Sequence, residues 1–188
     1  MIVIGTTGAD TMAETGSRSG VGGFVTALAD TLRGLGGHDR LDGGGGNDRI
    51  EAGEGNDVAI GGNGNDTLIG SNGNDTLSGD AAAADTGPNG SGFDVLSGGR
   101  GDDRLYGGPM ADTLIGGPGD DTLYAGDNNN RLIGGDLVNG DQGFDIVSYI
   151  GTPAERGGVA VFLGDPGRTT GTAIGDVYIG IDGLQGTG

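Results

Sequence analysis

The chain has 188 residues, 48 of them glycine and 27 acidic, with nine basic residues that are all arginine, no cysteine and a formal net charge of −18. That length bounds it to one domain or a piece of a longer chain, and aromatic residues at 4% leave no large core, so a fold has to be built from thin repeated layers. The acidic balance argues against nucleic acid or an anionic membrane surface as partner, no apolar run approaches the ~20 residues of a membrane span, and the lack of cysteine excludes disulfides and thiolate ligands.

The acid is spread through a nine-residue unit, Gly-Gly-any-Gly-any-Asp-any-apolar-any. Gly61 to Ile69 (GGNGNDTLI) fits it at every constrained position, and the chain repeats it at once as GSNGNDTLS. The first six positions predict a turn, with glycines free to take positive φ and an Asp oxygen at position 6; the last three predict a short strand. From the N-terminus, Gly5 to Ala13 fits loosely through Gly5, Gly8, Asp10 and Met12. Glu14 to Phe24 reads as an inserted loop, and Val25 to Arg33 rejoins the register only through Asp30 and Leu32. Residues 1–33 are thus an irregular lead-in with one or two degenerate repeats.

From Gly34 five copies follow unbroken. They place Asp39, Asp48, Asp57, Asp66 and Asp75 nine residues apart, with Leu41, Ile50, Ala59, Leu68 and Leu77 at the apolar position, where only Ala59 is too small to fill a layer well. A sixth copy opens at Gly79, takes about ten extra residues around Ala81 to Gly90, and closes with Gly92, Asp94 and Leu96. A second run gives Asp103, Asp112 and Asp121 with Leu105, Leu114 and Leu123. Met110 replaces the third glycine of its unit, which predicts that positive φ is lost there. Asn128 and Asn130 weaken the next copy, and a last one, opened near Leu137 to Asp141, carries Gly143, Asp145 and Val147 and ends at Tyr149. Residues 34–149 are therefore read as the repeat region. Val159 to Leu163 and Ile174 to Ile181 alternate like longer strands, so residues 150–188 are read as a strand-rich cap; Gln185 to Gly188 reads as the opening of another unit.

Strands of three residues have to bury their apolar position against something. If each turn reverses the chain, two units make a coil of 18 residues, with two facing sheets and units of like parity stacked about 4.8 Å apart. The turn aspartates then fall into two rows. Asp39, Asp57, Asp75, Asp103, Asp121 and Asp145 share one side; Asp48, Asp66, Asp94 and Asp112 share the other, with Asn130 ending the row. Stacked like charges repel, so an ordered stack demands cations between the turns, and oxygen-only surroundings suit calcium over zinc, copper or magnesium.

These motifs resemble the RTX, or haemolysin-type, calcium-binding nonapeptide repeats, over most of the chain. The resemblance implies an all-β fold, a right-handed parallel β-roll or β-solenoid of nonapeptide repeats holding several Ca²⁺ ions. It also implies that each ion takes the carbonyls at positions 2 and 4 and the Asp of one turn, with the carbonyls at positions 1 and 3 and the Asp of the next turn on that side. Carried onto this chain, one site uses Gly44, Gly46 and Asp48 with Gly61, Asn63 and Asp66. A second uses Gly53, Gly55 and Asp57 with Gly70, Asn72 and Asp75, and a third uses Gly99, Gly101 and Asp103 with Gly116, Pro118 and Asp121. The implied ligand set extends to Gly37 and Asp39, to Gly62 and Gly64 with Gly90 and Asp94, to Gly73 with Gly98 and Arg100, to Gly92 with Gly107, Pro109 and Asp112, and to Gly117 and Gly119 with Asp145. For function, the resemblance implies a module that folds on binding calcium outside the cell or at its surface, as a structural part of a larger secreted bacterial protein exported by type I secretion. Its partners would be calcium, other domains of that protein and the secretion machinery.

Enzymatic readings find little support. His38 reads as a turn residue, repeated carboxylates cannot be sorted into an acid and a base, and without lysine there is no P-loop. Tyr106, Tyr124 and Tyr149 are placed at position 9 of like-parity units, predicting a ladder that stiffens a sheet in preference to a sugar-binding strip. Ile69, Ile115 and Ile133 share position 9 on the other face, with Ser97 between, and predict a contact patch. Arg40, Arg49, Arg104 and Arg131 occupy position 7, where ion pairs with turn carboxylates are expected. The rival function is a carbohydrate (polyuronate)-binding accessory module of a secreted enzyme, or part of an adhesin.

Overall fold

Positions 7 to 9 carry a polar or β-branched residue, an aliphatic one, and another outward residue, the alternation of a strand with one buried face. The computed structural model describes residues 2–4, 11–12, 28–80, 92–124, 130–134, 146–148, 177–179 and 183–185, and among them every regular element is a strand. The first part of the chain forms β1 (Ile2–Ile4), β2 (Thr11–Met12), β3 (Thr31–Gly36), β4 (Arg40–Gly45), β5 (Arg49–Glu54), β6 (Val58–Asn63), β7 (Thr67–Asn72) and β8 (Thr76–Ser78). The second forms β9 (Val95–Arg100), β10 (Arg104–Tyr106), β11 (Thr113–Ile115), β12 (Thr122–Tyr124), β13 (Arg131–Ile133), β14 (Ile146–Ser148), β15 (Val177–Ile179) and β16 (Gly183–Gln185).

Odd-numbered strands make one sheet and even-numbered strands the other, each in sequence order. Every strand pairing among the described residues is parallel. The chain therefore winds as a β-roll, crossing between the sheets once per nine-residue unit. Leu68 pairs with Ile50 on one side and with Leu96 on the other, so the insertion after Asp80 is looped out without a slip in register. Register matters here because a slip of one residue would turn every leucine outward.

Position 8 builds the core. Leu32, Ile50, Leu68, Leu96, Leu114 and Leu132 line the odd sheet, and Leu41, Ala59, Leu77, Leu105, Leu123 and Val147 line the even one, all buried with no exposed surface. The degenerate copy before Gly34 thus supplies a full layer through Leu32, and Met12 pairs with Leu41 in the same column.

Three expectations are corrected. Strands β3 to β7 and β9 are six residues long and run on through positions 1 to 3 of the following unit, so the turn proper is positions 4 to 6. Pairing at positions 2 and 3, as between Gly53 and Ser71, gives main-chain groups partners that a free turn would leave to water. The place expected for Tyr149 in the tyrosine column, in register with Tyr124, is taken by Ser148, and Tyr149 lies outside the described residues. At the C-terminal end, β15 and β16 continue the two sheets beside β13 and β14; Gln185 belongs to β16 and does not itself open a turn, while the rest of Ile174 to Ile181 and Gly186 to Gly188 lie outside the described residues. Val159 to Leu163 lies outside the described residues.

Candidate metal centre

Turns stack as the strands do, and the aspartate at position 6 ties them together. Its Oδ1 accepts the main-chain N–H of the equivalent residue one coil earlier. On one side Asp57 accepts from Asp39, Asp75 from Asp57, Asp103 from Asp75 and Asp121 from Asp103, at 2.7–2.8 Å. On the other, Asp48 accepts from Asp30, Asp66 from Asp48, Asp94 from Asp66, Asp112 from Asp94 and Asn130 from Asp112, at 2.7–3.0 Å. These are the two rows set by the parity of the repeat, with Asp30 heading the second.

The other carboxylate oxygen has no such role. Oδ2 of Asp48, Asp57, Asp66, Asp75, Asp94, Asp103 and Asp112 is buried without a hydrogen-bond donor. Leaving an acceptor or a charge in that condition costs free energy. Burial accordingly pushes the carboxyls up, to about 6 at Asp48, Asp75 and Asp94, about 7 at Asp66 and Asp103, and about 8 at Asp112, against the pull of the main-chain N–H each accepts. Neighbouring aspartates add to the rise, as Asp94 and Asp80 do at Asp112.

Where the spare oxygen points is fixed by the glycine at position 1. A Cβ on Gly43 would meet Asp48 Oδ2 and the Gly61 carbonyl together; on Gly61 it would meet Asp66 Oδ2 and the Gly79 carbonyl; on Gly70, Asp75 Oδ2 and the Gly98 carbonyl; on Gly79, Asp94 Oδ2 and the Gly107 carbonyl. In coil after coil, a carboxylate oxygen and the next coil's carbonyl converge on one small space that no side chain fills. Among the described residues no three His, Cys, Asp or Glu side chains gather tightly enough to cage a metal alone, so carbonyls have to complete any site. Hard oxygen donors, part charged and part neutral, with no donor hydrogen among them, fit a cation of the calcium type.

A family model described as the RTX calcium-binding nonapeptide repeat matches in four copies, over residues 25–59, 51–83, 90–109 and 106–136. The chain belongs to the RTX calcium-binding nonapeptide-repeat family. No curated protein and no solved structure matches it.

Within this RTX roll the implied ligands are brought together unevenly. The carbonyls at position 3, on Asn63, Asn72, Arg100 and Pro118, each already accept an N–H, from Gly46, Gly55, Gly73 and Gly101 respectively, which leaves each one lone pair for a cation. The carbonyls of Gly44 and Gly46 point at Gly62 and Gly64 one coil on, and that of Gly101 at Gly119, where a side chain would strike them. Gly92 stacks on Gly64 in the same way across the insertion. Gly116 accepts from Gly99, and Gly37 donates to Glu54. At the Asp57 turn position 1 is Ala52, whose Cβ takes the room that glycine leaves elsewhere, so that carboxylate has less space than its neighbours. Gly90 and Asp145 lie outside the described residues.

Met110 reverses its expectation: it keeps positive φ, at 83°, as Leu35 (78°) and Ser71 (92°) do at position 2. A non-glycine residue there costs on the order of 1 kcal/mol, so Met110→Gly is expected to raise the unfolding free energy of the loaded roll by about that amount, read from denaturant melts.

Two features escaped the sequence. Position 5 forms a second ladder, in which Asn47, Asn56, Asn65, Asn74 and Asp102 each accept the N–H of the residue one coil on through Oδ1, and His38 Nδ1 accepts from Asn56 at 2.8 Å. The recurrence of Asn at position 5 from Asn47 to Asn74, with Asp at Asp102 and Asp120, is the signal the sequence offers. The other feature is Asp80, buried at position 2 with both carboxylate oxygens lacking a hydrogen bond.

Proposed function

We propose that this RTX roll is a calcium-dependent folding module, structural rather than catalytic, belonging to a larger secreted bacterial protein. The observation that supports it is the set of buried carboxylate oxygens given no donor, of which those of Asp48, Asp66, Asp75 and Asp94 share a small space with a carbonyl of the next coil. A roll of this kind opposes its own charge unless cations neutralise it, so binding and folding become one event. Extracellular calcium modules load at roughly 10⁻⁴ to 10⁻³ M. Several such sites acting together keep the chain unfolded in a calcium-poor cytoplasm and fold it outside or at the cell surface, which suits export of an unfolded chain by type I secretion. Its partners on this reading are calcium, the secretion machinery and the neighbouring domains of the parent protein.

A polyuronate-binding or adhesin role draws less support. Tyr106 and Tyr124 stack with centroids 4.2 Å apart and planes 5° from parallel, so each spends a ring face on the other. Arg33 and Arg49 both pair with Glu51, at 2.9 and 2.7 Å; that partner is a strand residue, not the turn carboxylate expected. Arg49 and Arg131 stand in the odd sheet, Arg40 and Arg104 in the even one, and neither makes a continuous basic strip.

The test is a calcium titration of the metal-free chain at pH 7.5, followed by far-ultraviolet circular dichroism. Strand signal is expected to appear in one cooperative step near roughly 10⁻⁴ to 10⁻³ M calcium, with magnesium at equal concentration giving none. A spectrum that calcium leaves unchanged removes the proposal.

A further inference from the structure

Position 2 is glycine in most copies, among them Gly44, Gly53, Gly62, Gly99 and Gly117, and Asp80 stands there in the copy opened by the insertion. It is 6% exposed, and neither carboxylate oxygen makes a hydrogen bond, the Gly92 amide offering only an electrostatic pull.

Its backbone departs from the other copies as well. Leu35 and Ser71, the other non-glycine residues at this position among the described residues, keep positive φ, and Asp80 does not. Its carbonyl is instead turned to the Ser78 hydroxyl, which donates to it at 2.7 Å. In the regular coils the position-2 carbonyl points at the position-2 residue one coil on: Gly44 at Gly62, Ser71 at Gly99, Gly99 at Gly117. At Gly108 the atom found in that place is Asp80 Oδ2. A charged carboxylate oxygen has replaced a neutral carbonyl at one family ligand position.

The consequence follows from charge. Each position-6 aspartate lies between two coil gaps, so an inner ion meets on average about one carboxylate charge. The gap between Asp94 and Asp112 has those two and Asp80 besides, and Asp80 bears electrostatically on Asp66, Asp94 and Asp112. Calcium affinity in oxygen sites is tuned by the count of charged ligands.

We infer that Asp80 is an additional calcium ligand, supplying a third carboxylate to the Asp94–Asp112 site and making it the tightest in the roll and the first to load. Loading of both runs begins at this site. This rests on the calcium reading above.

Isothermal titration of the full chain with calcium at pH 8 tests it, comparing the unaltered protein with Asp80→Asn, Asp80→Gly and the exposed-charge control Glu51→Gln. Circular dichroism at saturating calcium verifies that each folds. The first macroscopic dissociation constant is expected to weaken tenfold or more in both Asp80 variants and to stay within twofold in Glu51→Gln. Equal first constants in the unaltered chain and either folded Asp80 variant overturn the inference while leaving the calcium module standing. Failure of the unaltered chain to bind calcium would instead defeat the reading beneath it.

Discussion

Dialysed free of calcium, the chain is expected to lack strand structure at pH 8 and to regain it on acidification to pH 5. In the folded roll Asp48, Asp66, Asp75, Asp80, Asp94, Asp103 and Asp112 are raised from 3.8 to between about 6 and about 8, with burial the largest cause in each. The unfolded chain releases these protons near pH 4, and the folded one holds them until pH 6 to 8. Across that window the folded state binds more protons. Stability is therefore fully present below about pH 4 and is lost as pH rises through the folded values. A rise of two to four units corresponds to about 3 to 6 kcal/mol per carboxylate before solvent screening and coupling along the row reduce it. Seven of them together outweigh the roughly 5 to 15 kcal/mol of net stability an ordinary domain has. Protons and calcium remove the same cost, so calcium affinity is expected to climb with pH between 6 and 8 as proton competition fades. Circular dichroism of the metal-free chain at pH 5, 6, 7 and 8 is the measurement. Full strand signal at pH 8 without metal, or no gain at pH 5, would show that the spare oxygens are satisfied in some other way.

The ninefold spacing made the larger features legible because one physical rule generates them all. Leu68 has to face inward, position 8 recurs every nine residues, and the chain has to reverse between sheets. From those constraints follow the parallel sheets, the two inner columns and the two aspartate rows. The rule fails where a residue acts through backbone shape or through a neighbour one coil away. Ser71 looks unfit for positive φ by intrinsic preference, yet its pairing with Gly53 on one side and Gly99 on the other over-determines its backbone, a tertiary constraint that propensity does not contain. Asp80 stands at the lip of the insertion, where the repeat is broken until Gly92 and position 2 draws no notice. Its importance lies in which way its carbonyl turns, and no residue pattern encodes that. Counted from Val147 at position 8, position 9 is Ser148, so Tyr149 stands one residue beyond the place expected for it. The ladder at position 5 was hidden because Asn and Asp suit turns anyway, so their stacking could be seen only once the coils were superposed.

Asp66 separates hydrogen bonding from charge, and its two substitutions are expected to diverge. Oδ1 accepts the Asp48 N–H at 2.7 Å, its own N–H donates to Asp94 at 2.8 Å, and Oδ2 faces the Gly79 carbonyl. Asp66→Ala removes an acceptor from a buried N–H, costing about 1 to 3 kcal/mol, and deprives the gaps toward Asp48 and toward Asp94 of a carboxylate at the same time. Asp66→Asn keeps the acceptor, since Asn130 already plays that part for Asp112 at 2.8 Å, and loses only the charge. The alanine variant is thus expected to melt lower than the parent in saturating calcium and to bind two fewer ions by equilibrium dialysis, with the Asp39–Asp121 row still loading. The asparagine variant is expected to need more calcium to fold than the parent and yet to melt higher than the alanine variant in saturating calcium, because the Asp48 N–H keeps its acceptor. An alanine variant that retains the parent's full complement of ions would mean that position 6 holds the coils together through hydrogen bonds alone.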